Sequence, residues 1–544
     1  MVEMQSHTPV LIVGGGPVGL ALATELGWQG VACTLIEQGD GSIVTPKMNE
    51  VNTRTMEFCR RWGITDQVLN CPFPGDHPLD AVFITSLFGH ELGRVVRPAR
   101  NSQTAEAHSP YRLQACSQIW FDPILARRAR TFPSVHLHYR HRLETLSQDP
   151  ERVTAEIVDV ANGQRHRITA DYLVGCDGAA SLVRRTLGIQ LTGKGTIGYP
   201  INMFFRAPDL LAQSGRRPGT FFIPVDSGGV WGNLRVIDPA NDVWRLMVDS
   251  ASDVTPETVD RDGYLRRALG REFDVEWIDV NVWRRRSLVA ERYGEGRVLI
   301  AGDAVHQLSP TGALGMNSGV GDAVDLGWKL AAVLQGWGGN RLISSYESER
   351  RPIGERNVRM ATNFHKDNES FSHWSPALDD DGPDGDKARR ELGEMLERKI
   401  GAEFRTLGLQ IGYVYENSPI CIPDGTPPPA DDPANYIANT RPGARAPHVW
   451  IGKNKTTLDL FGRGFVLLRF PQAPETKALT SAASARQLPL TTIDIASQDA
   501  AAIYGRRLVL VRPDGHVAWR ADAMPADSGA LIDHVRGDGP HLTR

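Results

Sequence analysis

The sequence predicts an α/β fold in three parts: a parallel sheet near the N-terminus, a mainly antiparallel sheet in the middle and a compact α/β module at the C-terminus. The chain opens with a βαβ pattern, in which an apolar strand at 9–13 leads through a glycine-rich turn to a helix at 20–28 and a strand at 31–37. Residues 195–290 form short alternating runs rich in Trp, Phe and Val and broken by Gly and Pro. After the proline-rich stretch 419–433, short alternating segments and a Pro-Asp-Gly turn follow.

Length and composition are those of a multidomain globular enzyme. The 544 residues are enough for roughly two to four domains, and 41% hydrophobic with 23% charged residues is ordinary for a protein with a large core. Lysine plus arginine (60) nearly balances aspartate plus glutamate (64) and forms no basic stripe, so we expect no nucleic-acid partner. The six cysteines form neither a CxxC pair nor a disulfide spacing, so we expect reduced thiols in a cytoplasmic protein.

The longest apolar stretch, 10–28, is not expected to cross a membrane. It contains five glycines, Pro17 and Glu25, and no basic residue precedes it as in a signal peptide. A glycine-rich turn inside an apolar run is typical of a phosphate-binding loop, so we predict no membrane contact.

The glycine-rich turn matches the G-x-G-x-x-G pattern of dinucleotide-binding loops, and its residues are Gly14, Gly16, Pro17, Val18 and Gly19. The three glycines permit, in that order, a tight turn, the approach of a pyrophosphate to the backbone and close packing of the helix on the strand. Unpaired N–H groups at the helix N-terminus attract phosphate. Glu37 ends the second strand, where a carboxylate accepts ribose hydroxyl groups and disfavours the 2′-phosphate of NADP. These features predict a Rossmann-like domain that holds FAD or NAD.

Two further turns follow predicted strands. Asp177-Gly178 ends a buried run, and Gly302-Asp303 follows the apolar strand 298–301. A loop rich in Gly and Pro, 310–317, then leads to an amphipathic helix. Taken alone, each turn is explained equally well by cofactor binding and by an ordinary turn whose carboxylate caps a helix. Their order and spacing along the chain are more informative.

Six segments carry a resemblance to a known family: GGGPVG at 14–19, PKMNEVNTRTMEFCRRWGI at 46–64, SQIWFDPIL at 117–125, YLVGCDGAASLVRR at 172–185, VLIAGDAVHQLSPTGALGMNSGVGDAVDLGWKLA at 298–331 and YESERRP at 346–352. The sequence resembles the single-component FAD-dependent aromatic hydroxylases, the family of para-hydroxybenzoate hydroxylase, and within it the phenol and resorcinol hydroxylase branch with its polyketide-tailoring relatives. Residues 441–468 resemble the C-terminal thioredoxin-like module of that branch. No cysteine follows Cys421, so this module lacks redox cysteines.

Pattern and resemblance together predict the domain organisation. An FAD-binding domain would comprise residues 1–195 and 291–400, and residues 196–290 would form a substrate-binding sheet domain. A linker at 401–435 would lead to the thioredoxin-like module at 436–544. Within the first domain, we expect the acidic stretch 379–386 to be a solvated linker, because Pro383 occupies a ligand position of the calcium loop it loosely resembles.

The resemblance implies which residues contact noncovalently bound FAD. Asp303 would hydrogen-bond the ribityl chain, and Asp177 belongs to the motif near the pyrophosphate. The loop 310–317 would line the isoalloxazine ring, with the N-terminus of the next helix stabilising negative charge on the reduced ring. Ala313 departs from the family, in which many members have Gly. The other positions that match are Lys47, Arg54, Gln118, Gly302, Pro310, Gly312, Gly315, Met316 and Asn317.

The implied activity is hydroxylation of a phenolic substrate with NADH or NADPH and dioxygen, through a flavin hydroperoxide. The chain has no second G-x-G-x-x-G motif, which fits transient docking of the nicotinamide nucleotide. We expect the substrate cavity between the flavin loop and the sheet 195–290, with Asn49 and Arg245 as candidate substrate-site residues. Asn49 aligns with a substrate-side Asp of phenol hydroxylase, but an amide cannot be the base that ionises a phenol. Arg245 is a candidate partner for a phenolate or for the nicotinamide phosphates, and a surface salt bridge is an equal alternative.

Several alternatives stay open from the sequence. The same scaffold supports Baeyer–Villiger or epoxidation chemistry on a polyketide, and a noncatalytic FAD-binding interaction protein is a further alternative. We predict no metal site, since His136, His138 and His141 have no carboxylate or thiolate beside them in the sequence. We expect His306 to serve packing or phosphate contact. A homodimer is left open.

Overall fold

The computed structural model describes residues 4–104, 106–371 and 374–539. Its N-terminal sheet confirms the predicted parallel core, with His7–Val13 at the centre between Arg165–Gly175 and Cys33–Glu37. The central strand is apolar throughout because both faces of the sheet are covered, and Val10, Leu11 and Ile12 are fully buried. The strand order is Gly294–Glu295, Val298–Ile300, Arg165–Gly175, His7–Val13, Cys33–Glu37 and Val135–Tyr139. Val153–Asp159 pairs with Arg165–Gly175, and His141–Gln148 pairs with Val153–Asp159, both as antiparallel strands.

The first crossover helix, Pro17–Gln29, follows the glycine-rich turn directly. Proline suits the first turn of a helix because its missing N–H would have no partner there. Gly30 ends the helix in the left-handed conformation, with φ of 81°. The helix packs against Gln118–Arg130 and against Gly315–Leu334, the amphipathic helix that the sequence predicted from residue 321 onward.

The second sheet lies in the middle of the chain, and it is larger than the predicted segment 196–290. Two of its strands, Ala81–Ile84 and Glu91–Val95, come from the region that the sequence placed in the first domain. Their apolar runs are equally suited to either sheet, and only long-range pairing with Phe221–Asp226 assigns them. The strand order is His306–Gln307, Arg285–Ala290, Leu191–Arg206, Val243–Ser250, Gly232–Asp238, Phe221–Asp226, Ala81–Ile84 and Glu91–Val95, with Gly229–Val230 and Glu276–Val282 attached at the side.

The C-terminal module has the predicted thioredoxin-like topology. Phe465–Arg469 and Leu490–Asp494 are parallel, whereas Leu508–Val511 and Val517–Ala521 continue the sheet as an antiparallel hairpin. The Pro-Asp-Gly turn connects the strands of this hairpin, as the sequence predicted. The module helices are Lys477–Ala485, Gln498–Tyr504 and Ser528–Val535.

The acidic stretch 379–386 differs from the expected solvated linker. Pro383 begins the helix Pro383–Lys399, so Asp384 and Asp386 lie in its first turn. Acidic side chains in the first turn stabilise a helix by offsetting its dipole. The same acidic residues that suggested a solvated linker are therefore equally typical of the start of a helix. This helix packs on Glu91–Val95 of the second sheet.

The remaining elements complete the connections. Glu50–Val51 pairs with Gln114–Ala115, and Trp450–Gly452 pairs with Lys455–Thr456. No helix among the described ranges has the length and apolar composition that a membrane span requires. The remaining helices are Thr53–Trp62, Thr65–Leu69, Leu182–Thr186, Leu210–Gln213, Arg261–Leu269, Ser345–Glu369 and Leu407–Ile411.

A fully buried ionic cluster joins the module to the first domain. Arg512, beside the hairpin turn, donates to both carboxylate oxygens of Glu349, at 2.5 and 2.9 Å, and to Asp325 at 3.1 Å. Lys329 donates to the same two carboxylates, at 2.6 Å to Glu349 and 2.8 Å to Asp325. Asp514 completes the cluster at 2.6 Å from Arg512. The hairpin turn of the module is therefore anchored on the helices Gly315–Leu334 and Ser345–Glu369.

Candidate cofactor and substrate site

The predicted cofactor-binding patches meet at one edge of the N-terminal sheet. Four parallel strands lie side by side, so the residues that follow their carboxyl ends emerge at the same edge. These residues are Gly14, Glu37, Asp177 and Gly302. Nucleotides bind at this edge in open α/β sheets.

The glycine loop has the shape that a pyrophosphate needs. Gly14 has φ of 107°, and a Cβ added there would collide with the carbonyl oxygen of Cys176, so the protein itself requires this glycine. A Cβ on Gly16 would meet no protein atom within 4 Å. The helix that begins at Pro17 has no side-chain cap and no acidic residue in its first turn. The open space at Gly16 and the uncapped N–H groups therefore fit the phosphates of FAD.

Glu37 is held in place by two backbone groups. Gly15 N donates to one carboxylate oxygen and Gly39 N to the other, each at 2.7 Å. A carboxylate has about four acceptor positions, so two remain for ribose hydroxyls. The geometry fits the predicted adenosine contact.

Asp303 lies in an open cleft. The Asp303 side chain is exposed to this cleft, but protein surrounds it closely. This burial raises the pKa of Asp303, although the positive charges of His306 and Lys47 oppose the rise. Gln118 Oε1 accepts from the backbone N–H of Lys47 at 3.0 Å, so the structure brings Lys47, Gln118 and Asp303 to the same cleft. A carboxylate with free acceptor positions fits a ribityl hydroxyl.

Asp177 and His306 position the turns rather than face the cleft. The Asp177 carboxylate accepts from Ser181 Oγ at 2.6 Å and from Val183 N at 3.1 Å, which caps the helix Leu182–Thr186. Asp322 accepts from Gly302 N at 3.1 Å and lies 2.8 Å from His306 Nε2. Asp322 is fully buried, which by itself would raise its pKa, but the charges of Arg350 and His306 lower that pKa to about 2. The negative charge of Asp322 in turn raises the pKa of His306 against the effect of burial. His306 thus serves the packing role expected from the sequence.

The predicted flavin loop, 310–317, is held in a strained conformation. Gly312 and Ala313 have φ of 81° and 54°, so Ala313 adopts a left-handed backbone that costs an alanine about 1–2 kcal/mol. Asn317 Oδ1 accepts from Asn52 N at 3.0 Å and Thr55 Oγ1 at 2.7 Å. Its amide also donates to Glu50 O and Ala313 O, which uses all of its hydrogen-bonding capacity. Asn317 therefore positions the loop, and the helix Gly315–Leu334 presents an uncapped N-terminus beside it.

Arg54 lies at the interface with the C-terminal module. Its guanidinium donates to Glu57 and to the backbone carbonyl of Asp514, each at 2.8 Å, and stacks 4.4 Å from the centre of the Phe58 ring. These partners occupy the group, so its role as a cofactor ligand stays a prediction without a supporting contact. The sequence showed only that Arg54 follows the loop that contains Lys47.

Arginines collect on one face of the second sheet. The opposite face packs through Leu234, Leu246 and their neighbours onto a hydrophobic core. Arg235 and Arg245 are directly opposite each other on adjacent antiparallel strands. Like charges in such positions repel each other unless an anion lies between them.

Arg245 is the member of this group that has no counter-ion. It is buried, donates only to Asn233 Oδ1 at 3.3 Å, and forms no ion pair with any carboxylate in the described ranges. Burial and the positive charges of Arg235 and Arg285 lower its pKa to about 9. The surface salt bridge that the sequence left open is therefore wrong for this residue.

The neighbouring charges are paired. Arg285 lies 3.1 Å from Asp249, and Glu50 lies 3.5 Å from Arg235 and 3.1 Å from Arg97. Asn49, next to Glu50, is buried, and its side-chain oxygen has no partner in the part of the chain that the structure describes. Buried polar atoms without partners are rare in folded proteins, and their presence here fits a ligand site.

Sequence reasoning missed several cleft residues. Arg235 and Arg285 come near Arg245 only through strand pairing, and Glu403 lies in the segment predicted to be a linker. Glu50 follows Asn49 directly but was not predicted as a site residue. No local motif marks Arg235, Arg285 or Glu403. Within the ranges described above, no group of three or more His, Cys, Asp or Glu side chains is arranged to hold a metal ion.

Comparisons with known proteins extend over nearly the whole chain. Residues 7–361 match the family described as FAD binding domain, and residues 439–537 match the family described as aromatic-ring hydroxylase, C-terminal. The tetracenomycin A2 monooxygenase-dioxygenase of Streptomyces glaucescens is 33% identical over 97% of this chain and 95% of its own length. The phenol 2-monooxygenase of a Pseudomonas species is 30% identical over 98% of this chain and 93% of its own.

A solved structure is similar in fold as well as in sequence. The rebeccamycin biosynthetic enzyme RebC with reduced flavin has a TM-score of 0.91 and 39% identity, covering 98% of this chain and all of its own. RebC has also been solved with bound 7-carboxy-K252c.

Proposed function

The chain belongs to the family of FAD-dependent aromatic-ring hydroxylases, and from that premise we propose that it hydroxylates a phenolic ring whose scaffold also carries a carboxylate. It is a monooxygenase that uses FAD, with NAD(P)H as co-substrate. The family consists of enzymes, which removes the noncatalytic alternative. Baeyer–Villiger or epoxidation chemistry stays a rival for the individual substrate.

The observation that carries the proposal is the uncompensated charge of Arg245. A buried cation without a counter-ion is costly, and here two further arginines flank it. A substrate carboxylate would remove the repulsion between Arg235 and Arg245 and accept charge-assisted hydrogen bonds from them. The carboxylated ligand of RebC, which is similar over the whole chain, supports the same class of substrate.

The residues of the chain have distinct tasks around the bound groups. FAD, when bound, supplies hydride acceptance and the activation of dioxygen. The glycine loop and the first crossover helix would hold its phosphates, Glu37 its ribose and Asp303 its ribityl chain. The N-terminus of the helix Gly315–Leu334 would stabilise negative charge on the reduced flavin. Arg245 orients the substrate by its carboxylate, so that the reacting ring carbon faces the loop 310–317.

The test compares matched pairs of probes that differ by a carboxylate: salicylate with phenol, and 3-hydroxy-2-naphthoate with 2-naphthol. We expect the holoenzyme to bind the carboxylated member more tightly, by roughly 10- to 150-fold for hydrogen bonds to a charged group. Arg245→Met should remove this preference, measured by flavin absorbance on titration. Arg206→Met is the control, since Arg206 is an exposed arginine of the same sheet, paired with Glu276. Equal binding of both members by the wild type, or an unchanged preference in Arg245→Met, would contradict a carboxylate-bearing substrate.

Replacement of Asp303 is expected to weaken FAD retention. Asp303→Ala removes a carboxylate with free acceptor positions in the cofactor cleft, a loss of about 1–3 kcal/mol, or roughly 5- to 150-fold in Kd. Fluorescence titration of the deflavinated protein with FAD measures the change. Asp40→Ala, an exposed acid beyond Glu37, should keep the wild-type Kd. An unchanged Kd in Asp303→Ala would show that the ribityl chain lies elsewhere.

We also propose that the enzyme acts in the cytoplasm, and we keep the homodimer that the sequence left open as the alternative to a monomer. All six cysteines are free thiols, which fits a reducing compartment. Light scattering coupled to size-exclusion chromatography of the holoenzyme measures the oligomeric state directly, and a monomer at micromolar concentration would overturn the homodimer.

A further inference from the structure

We propose that the carboxylate of Glu403 is the base that removes the proton from the substrate hydroxyl. The inference rests on the hydroxylase function proposed above and names the proton acceptor that Asn49 cannot supply. The proton passes from the phenolic oxygen to a carboxylate oxygen of Glu403, which leaves a phenolate and a neutral carboxyl group. The phenolate is the electron-rich form of the ring that oxygen transfer requires.

Glu403 lies between the flavin loop and the second sheet. It belongs to the short 3-10 helix Ile400–Phe404. On one side of it, Ala402 packs against the cluster that contains Leu314 of the flavin loop. On the other side, the Phe404 ring meets the edge of Phe221 with 5.3 Å between their centres. The backbone therefore places the Glu403 side chain at the cleft in which we expect the substrate.

Glu403 is neither fully exposed nor fully buried. Part of the surface of this residue is accessible, although protein surrounds it on most sides. This arrangement gives the carboxylate access to a ligand and, when the cleft is empty, to water.

Glu403 is the cleft carboxylate that has no counter-ion. In the described ranges it forms no ion pair, whereas Glu50 is paired with Arg97 and Arg235, and Asp249 is paired with Arg285. An ion pair with arginine occupies the carboxylate and opposes its protonation. Asp249 keeps this arginine partner, although burial raises its pKa. Glu403 therefore remains as the available acceptor on this side of the cleft.

The charged and polar groups around Glu403 come from four elements. Arg285 lies on a strand of the second sheet, Arg97 follows the strand Glu91–Val95, and Glu50 lies before the helix Thr53–Trp62. The Asn368 amide, near the end of the helix Ser345–Glu369, favours the ionised form of Glu403. Farther out, the same helix carries His365 and Glu369, which pair with each other at 3.3 Å.

Burial is the dominant influence on the charge of Glu403. Burial, supported by the negative charge of Glu50, raises the pKa of Glu403 to about 7 against the pull of Arg285, Arg97 and the Asn368 amide. A general base is most effective when its pKa lies near the working pH. The pKa of Glu403 is thus suited to accept a proton in one step and to release it to water later.

The first test measures this carboxyl group directly on the holoenzyme. Infrared difference spectra of the wild type against Glu403→Gln, recorded across a pH series, isolate the carboxyl band of Glu403. We expect a band that titrates near pH 7 in the wild type and is absent from the variant. A carboxyl group already ionised at pH 5 would overturn the proposal, whatever the enzyme's substrate.

The second test follows proton removal from a probe, 3-hydroxy-2-naphthoate, whose ionisation changes its absorbance. In the wild type, the bound hydroxyl group should ionise at a lower pH than in water. In Glu403→Gln, hydroxylation at pH 7 should fall by about 10²- to 10⁴-fold, and the limb of the kcat profile near pH 7 should disappear. Glu403→Asp should restore part of the rate and a shifted limb, which a purely structural role would not produce.

Controls separate the possible failures. Glu394→Gln, an exposed acid on the preceding helix, should keep the wild-type profile. FAD content and Tm of each variant show whether it is folded, and the infrared titration of the wild type does not depend on any variant's activity. If the wild type hydroxylates the probe and Glu403→Gln has the same pH profile, Glu403 is not the base. If the infrared band of Glu403 titrates near pH 7 in the wild type, yet the wild type hydroxylates none of the phenolic probes, the proposed hydroxylase function is wrong, whereas the pKa of Glu403 is confirmed.

Discussion

Arg512→Met is expected to lower the free energy of unfolding by roughly 3–5 kcal/mol, because it removes one cation from a fully buried ionic cluster. Without Arg512, Asp325 and Glu349 would share Lys329, and Asp514 would lose its arginine partner. Desolvated carboxylates without enough positive charge must either take up protons or admit water. Either outcome loosens the contact between the module and the two long helices of the first domain.

Thermal and urea unfolding of the holoenzyme, followed by far-UV circular dichroism, measure this effect. Arg506→Met is the matched control, since Arg506 lies in the same module and forms an exposed ion pair with Asp522. Exposed pairs contribute about 0–1 kcal/mol, so the control should unfold almost like the wild type. If both variants unfold alike, the cluster does not anchor the module. The loss of FAD should accompany unfolding of Arg512→Met, because the helix that holds Asp325 begins at the flavin loop.

Gly14→Ala is expected to yield protein that neither retains FAD nor keeps its native stability. The alanine would need φ of 107°, and its methyl group would collide with the carbonyl oxygen of Cys176. The collision separates two parallel strands at the edge where the cofactor patches meet. Purified Gly14→Ala should therefore be colourless and unfold at a lower temperature than the wild type.

Gly16→Ala is the companion substitution that separates cofactor binding from folding. Gly16 has an ordinary backbone conformation, with φ of −74°, and its added methyl group would meet no protein atom within 4 Å. The deflavinated variant should keep the Tm of the deflavinated wild type, while its Kd for FAD rises at least about tenfold, or ~1.4 kcal/mol. Wild-type FAD affinity in Gly16→Ala would mean that no pyrophosphate approaches this part of the backbone.

Local patterns in the sequence were sufficient for much of the cofactor side. The strand, glycine-rich turn, helix and terminal Glu37 lie within about thirty residues, and each is marked by its own residues: buried apolar positions, glycines and a strand-end carboxylate. Parallel strands in a right-handed βαβ unit then bring distant turns to one edge by rule. The family resemblance assigned Gly302 and Asp303 to the cofactor, and the parallel strands bring the Gly302 turn to the same sheet edge as Gly14, 288 residues earlier in the chain.

The contacts of individual side chains were less predictable than the backbone, because the sequence near a residue is compatible with more than one direction of its side chain. Arg54 follows the Lys47 loop closely in sequence, yet its guanidinium contacts Glu57 and the module. Asn317 was expected at the flavin ring, which stays a prediction, and only the structure shows that its side chain also makes four hydrogen bonds that hold the loop. The direction of a side chain depends on which distant backbone packs beside it, and no short motif records that.

The sequence by itself predicted a dinucleotide-binding loop and the three-part fold, because contiguous motifs and alternation patterns specify strands, turns and phosphate-binding loops locally. FAD and the hydroxylase chemistry followed from the resemblance of those segments to a known family. Only the tertiary structure decided which charges surround the substrate. Arg245 became an unpaired buried cation through the pairing of its strand with the strand that carries Arg235. Glu403, in the segment predicted to be a linker, has a raised pKa because the folded chain buries it and places the negative charge of Glu50 nearby. Burial and the distance between charges set the pKa of an ionisable group, and both are properties of the folded chain.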